Sequence, residues 1–260
     1  MFSAPHVEKV ANYAMPIRAI FSEAWHRIKG MKKAFWGGFA LLFLTLVGLF
    51  VIFQALLLVC DFLQLYRLSM ACQFIAGGFV AVFRLLLSIS LIFLALQHVR
   101  NQPVNSTMVF EFRKNWKPLA LIGVMLYLFN VLVLSGSDLI SASLHLNGKI
   151  WVIVPLLESI FLVFFLTYLM LLITMTMLLI LDKKMALKTG FKYAFIAINQ
   201  HWSKNIALLL LASLVFLVAG IITLGVALIW LLPFISLISA IQYRQIVGES
   251  NIEIIETMKK

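Results

Sequence analysis

The residues with most to say about chemistry are polar ones stranded in apolar surroundings. Arg84 interrupts the run from Phe79 to Leu87, and Glu158 the run from Ile150 to Leu181. Gln54 and Asn130 sit in similar runs. Hydrocarbon makes such groups costly, so function is their default reading. Counted along the flanking apolar runs, Arg84 and Glu158 both fall about 12–14 Å below one membrane face, at 1.5 Å per residue. An Arg84–Glu158 ion pair at matched depth is expected, with Gln54 and Asn130 completing a polar layer. A cavity there would suit a polar or zwitterionic group such as a lipid headgroup. Two structural readings stand beside it. The pair is a buried device that sets helix register, or Arg84 snorkels outward.

Other reactive groups are sparse. Cys60 and Cys72 fall at the outer ends of the first two spans, where an oxidising space would allow a disulfide. His6, His26, His98, His145 and His201 are scattered. No HExxH, GxSxG, Walker loop, GxGxxG or paired-carboxylate pattern occurs. No catalytic residue, metal or cofactor is therefore expected. Asn105-Ser106-Thr107 matches the glycosylation triplet but lies on the side expected to face the cytoplasm.

The elements that position these residues follow from composition. The chain has 260 residues, 63% apolar and 12% charged, with mean hydropathy +1.05. Soluble domains run about 45–50% apolar and about 25% charged. A soluble, disordered or disulfide-scaffold class is excluded. A bilayer core of about 30 Å takes about 20 apolar residues as helix. Six stretches qualify: 34–60, 73–97, 119–135, 150–181, 206–220 and 224–241. The fourth is long enough to tilt or project. The fold class is all-α: a single domain of six transmembrane helices, paired as three hairpins. Residues 1–33 form a cytoplasmic amphipathic segment, 34–243 the bundle and 244–260 a cytoplasmic tail. The first 33 residues lack an apolar h-region, so export begins at the first span.

Charge sets the threading. With the N-terminus inside, eighteen of the 21 Lys and Arg residues fall on inside segments and only Arg67 and Lys149 outside. Basic residues mark cytoplasmic loops, so both termini are expected in the cytoplasm. The +11 net charge is absorbed by this rule, and no nucleic-acid partner is implied.

Three inside segments are amphipathic. Ile17, Ile20, Phe21, Ala24, Trp25 and Ile28 follow helical spacing, opposite Arg18, Glu23 and Arg27. Leu187, Phe191, Ala194, Phe195, Ile198 and Trp202 repeat the pattern before the fifth span, and Met108, Phe112 and Trp116 give a weaker version before the third. These read as cytoplasmic elbow helices seating each hairpin at the membrane surface. Phe21, Trp25, Ile28, Phe191, Phe195 and Trp202 are the expected face for lipid or a partner. Trp36, Trp116 and Trp202, 80 and 86 residues apart, suggest an internal repeat of hairpins. Pro155 and Pro233 lie within spans, where neighbours must take up freed carbonyls, and Gly77-Gly78 allows close helix approach.

The final third shows Asp182-Lys183-Lys184 at the end of a span, then Ala186-Leu187-Lys188. Asn205 follows at the next span's start, Gly220 and Gly225 around the outer turn, then Pro233 and Tyr243. With Ala24-Trp25 before Lys32-Lys33, this pattern resembles the YciC-like bacterial inner-membrane proteins and the membrane domain fused to some glycerophosphodiester phosphodiesterases. Gly190 departs from it, standing where those proteins often carry Ser. The resemblance implies six spans, amphipathic lead-in helices and a bacterial inner-membrane location, and no reaction. The expected function is non-enzymatic: a lipid-interacting accessory or scaffold protein, with membrane lipids, a membrane-protein partner or a second copy as partners. The alternative is a transporter or flippase-like carrier using Arg84 and Glu158.

Overall fold

The computed structural model describes residues 16–143 and 150–247; the side chains of Asp61, Tyr66 and residues 133–162 lie outside the described ones. The described residues are helical, with no strand among them. In chain order they form α1 (Ile17–Phe62), α2 (Tyr66–Val99), a 3-10 helix (Ser106–Asn115), α3 (Trp116–Ser143), α4 (Ile150–Lys183), α5 (Leu187–Gln200), α6 (Trp202–Ile222) and α7 (Leu228–Val247). Every α-helix but α5 supplies one of six spans long and apolar enough to cross a membrane, the third, Ser106–Leu132, running from the 3-10 helix into α3. The expected all-α multi-pass architecture is the one observed.

The first elbow differs from expectation. It is not a separate helix at the membrane surface, because α1 runs unbroken for 46 residues through it and into the first span. That is about 69 Å at 1.5 Å per residue. The reason is visible in its buried stripe. Ile20, Ala24, Ile28, Met31, Phe35 and Leu42 continue across the junction at helical spacing, each at most 3% exposed. One face is claimed by the core throughout, and Gly30 alone does not break a helix held by packing. The segment before the third span is a 3-10 helix, with Val109 buried against α1. Only the elbow before α6 is an α-helix of its own, α5.

The core gathers at the end where α1 begins and α7 finishes. Leu94, Leu96 and Val99 of α2, Met177 to Ile180 of α4, and Leu237 to Tyr243 of α7 are all buried. The C-terminal half of α1 is the opposite: Phe50, Ile52, Leu58 and Phe62 are exposed. Apolar surface on this scale needs lipid rather than water.

Small residues set two helix approaches. A Cβ at Gly77 would stand 2.9 Å from the Tyr127 hydroxyl of α3, and that hydroxyl donates to the Phe74 carbonyl at 3.0 Å. A Cβ at Gly123 would meet Val82 Cα at 3.0 Å. Both contacts press α2 against α3.

Pro233 is buried inside α7. It has no N–H for the Ile229 carbonyl four residues back. Trp36 of α1 donates its indole N–H to that carbonyl at 3.2 Å. The Trp36 side chain thus repairs the break that proline makes in a neighbouring helix.

The α6–α7 turn is self-contained. Gly225 N–H bonds the Gly220 carbonyl at 2.8 Å, Val226 N–H the Thr223 carbonyl, and Ala227 N–H the Thr223 hydroxyl at 2.9 Å. Gly225 has φ +88°, a left-handed conformation that glycine adopts without strain. Ile222, Leu224 and Val226 are exposed around this turn.

Candidate functional site

The expected outer polar layer is not assembled. Arg84 lies exposed on α2 and makes no hydrogen bond or ion pair with a described residue; its carbonyl accepts from Ser88. Asn130 is exposed and spends its amide on the Leu126 carbonyl of its own helix at 2.8 Å. Gln54 is exposed on α1. These three make no hydrogen bond with one another. The side chains of Glu158 and Pro155 lie outside the described residues, as does all of His145. Cys60 is buried and Cys72 half-buried, and no disulfide joins them. Such groups can face lipid by folding back on their own helix, which a linear depth count does not register.

The polar residues that do converge lie at the opposite, basic end of the bundle. Asp182, at the last turn of α4, is the hub. Arg100 at the end of α2 grips both its carboxylate oxygens, the Nη2–Oδ2 arm at 2.9 Å. The Tyr243 hydroxyl of α7 donates to Oδ2 at 2.9 Å, and Lys183 Nζ stands 3.8 Å away. Tyr243 is fully buried. A fork-shaped guanidinium matches a carboxylate in both distance and plane, so the pair fixes orientation as well as charge.

A second knot joins α1, α2 and α7. Glu23 accepts from Arg27 Nε at 2.9 Å and from Arg244 Nη2 at 2.7 Å. Arg27 also donates to Asn101 Oδ1 at 3.0 Å, and the His98 ring meets the Arg27 carbonyl at 3.1 Å. Further amides cap helix ends. Asn115 donates to the Ile180 carbonyl at 3.3 Å and Asn205 to the Ile198 carbonyl at 3.2 Å. Burial pushes the Tyr193 phenol of α5 up to about 12, so it is neutral at any ordinary pH. Apart from the i,i+4 pair Glu23–Arg27 and the neighbours Asp182 and Lys183, sequence spacing shows none of these pairings, since the partners stand as many as 221 residues apart.

The expected lipid or partner face is divided. Ile28 is 3% exposed and belongs to the core between helices. Phe21 and Trp25 both meet the Phe234 ring of α7 edge-on, at 5.6 and 5.9 Å. Trp25, Phe191, Phe195 and Trp202 remain exposed. In α5 the side turned inward is Gly190, Tyr193, Ala194, Ala197 and Ile198, which leaves Phe191 and Phe195 on the outer side.

One cleft of about 330 Å³ opens between α4, α6 and α7. Thr167, Met170 and Thr174 of α4 line one wall, Leu209 and Ser213 of α6 another, and Ser239 and Gln242 of α7 the third. Gln242 is fully buried; its Nε2 donates to Asn205 Oδ1 at 3.0 Å, and its Oε1 has no hydrogen-bond partner among the described residues. Among the described residues no group of His, Cys, Asp and Glu is arranged to hold a metal ion.

Compared with protein-family models, curated proteins and solved structures, the chain finds no match.

Proposed function

We propose that this chain is a non-enzymatic multi-pass protein of a bacterial inner membrane, acting as a lipid-interacting accessory or scaffold subunit. Both termini lie on the cytoplasmic side in this reading. The described helix ends support it: Lys117 at the start of α3, Lys188 at the start of α5 and Lys204 at the start of α6 sit at the end that holds the Asp182 hub. The YciC-like residue pattern points to the same location and names no reaction.

The observation that carries the reading is a division of labour at that end. The acidic groups Asp182 and Glu23 are spent on holding helices together. Trp25, Phe191, Phe195 and Trp202 are left exposed beside lysines. Exposed aromatics and lysines at one level suit the headgroup zone of an anionic leaflet. A carrier using Arg84 draws no support from that residue's exposed position on α2.

Native mass spectrometry of the protein released gently from its own membrane tests this. Retained phosphatidylglycerol or cardiolipin, reduced in a Lys188→Gln/Lys192→Gln variant, is the result expected of lipid interaction. A second protein subunit at fixed stoichiometry is the result expected of a scaffold. A bare chain that moves solute when reconstituted into vesicles overturns both.

A further inference from the structure

Hydroxyl groups inside these helices are usually satisfied by their own backbone. Ser88, Ser90, Thr167, Thr176, Thr223 and Ser236 each donate to the carbonyl four residues earlier. Thr174, Ser213 and Ser239 make no hydrogen bond with a described residue, and all three line the cleft between α4, α6 and α7. Gln242 lines it too, with Oε1 buried and unpaired. Ser239 is 7% exposed and Gln242 0%. An unsatisfied group costs free energy away from water, and Gln242 Oε1 is the buried one here; Thr174 is half-buried and Ser213 exposed, so their hydroxyls stand where an entering ligand can reach them.

We propose that this cleft binds an uncharged, hydroxyl-bearing amphiphile of the acylglycerol class. The lining decides the ligand's chemistry. Gln242 Oε1 accepts a hydrogen bond, and the three hydroxyls both donate and accept. Among the described residues no charged side chain lines the space. A phosphate, carboxylate or ammonium entering it would lose hydration without a counter-ion, whereas a glycerol hydroxyl would not. The other half of the lining is apolar: Leu166, Met170, Leu171, Met175 and Leu209. Thr174 and Leu166 are eight residues apart on α4, a climb of about 12 Å along the apolar wall. Ligand pockets run about 300–1,000 Å³, so this one holds a headgroup and the first part of a chain. Met170, 45% exposed at the lip, leaves the rest of the chain in lipid.

The assignment rests on the lipid-interacting reading above and names one site within it. The test uses the full chain in mild detergent with 1-monooleoylglycerol as probe. Oleate and dioleoylphosphatidylglycerol serve as charged controls with the same chain, and free glycerol as a chain-less one. Retained complex is read by native mass spectrometry. The wild type should keep one monooleoylglycerol that oleate and glycerol do not displace. A Ser213→Ala/Ser239→Ala variant, lacking two hydrogen bonds, should bind it about tenfold or more weakly. Anionic-lipid adducts should persist in that variant, which separates failure of this site from failure of lipid interaction as a whole. If the double variant does not fold, Met170→Trp fills the lip and leaves every polar group in place; it should block the probe equally. Equal retention by either folded variant, displacement by oleate or glycerol, or no retention by the wild type overturns the proposal.

Discussion

Asp182 holds three helices through one side chain, and its two kinds of partner differ in what they leave behind. Asp182→Asn strips the Arg100 guanidinium of its counter-charge in a mostly buried place. The expected cost is about 3 kcal/mol, at the low end for breaking a buried pair because Arg100 keeps some solvent contact. Tyr243→Phe removes one charge-assisted hydrogen bond and should cost about 1.5 kcal/mol. Equilibrium unfolding in mixed micelles measures both, and equal losses would refute the hub. Trp36 makes a second residue-scale case. Trp36→Phe should cost about 1 kcal/mol, because the Ile229 carbonyl loses its donor. In a Pro233→Ala background the backbone N–H returns and most of that cost should vanish. A double-mutant cycle that finds the two changes additive would show that Trp36 does not serve the proline's carbonyl.

Among elements, the α2–α3 contact is sensitive to a single methyl because the Cβ would meet backbone. Gly123→Ala drives a Cβ to within 3.0 Å of Val82 backbone, so the helices must part; a loss of about 1–3 kcal/mol is expected. Gly48→Ala has nothing within 4 Å and should be neutral or gain up to about 1 kcal/mol from helix propensity. Thermal midpoints in one detergent compare them, and a harmless Gly123→Ala would mean the two helices are not locked there. The α6–α7 turn behaves differently. Its backbone donors from Thr223 to Trp230 all find partners in the turn or the last residues of α6. Its exposed residues, Ile222, Leu224 and Val226, are apolar as well.

At the scale of the whole molecule, the threading makes these features visible from outside. Single cysteines at Asn101 and Lys184, in turns at the basic end, should react with a membrane-impermeant maleimide only from the cytoplasmic side. One at Gln64, in the α1–α2 turn, should react only from the other. Labelling of Asn101 and Gln64 from the same side would overturn the topology.

How far the sequence alone reaches is clear from particular residues. Run length and mean hydropathy determined that the chain is helical and multi-pass, because a backbone in lipid must bond to itself. The stripe from Ile17 to Ile28 was legible as amphipathic for the same local reason. Whether that stripe ended in an elbow was not legible, since it is packing against α2, α7 and the 3-10 helix that claims one face of α1 across the junction. Arg84 and Asp182 show the same divide. Arg84 stood out in an apolar run and converges with none of the other outer-layer candidates among the described residues. Asp182 looked like an ordinary charge at a helix end and binds three residues. Glu23 and Arg244 were 221 positions apart and meet at 2.7 Å. Local chemistry is written in spacing along the chain, but which polar groups meet depends on helix rotation and depth, and those are set by the packing of the whole bundle.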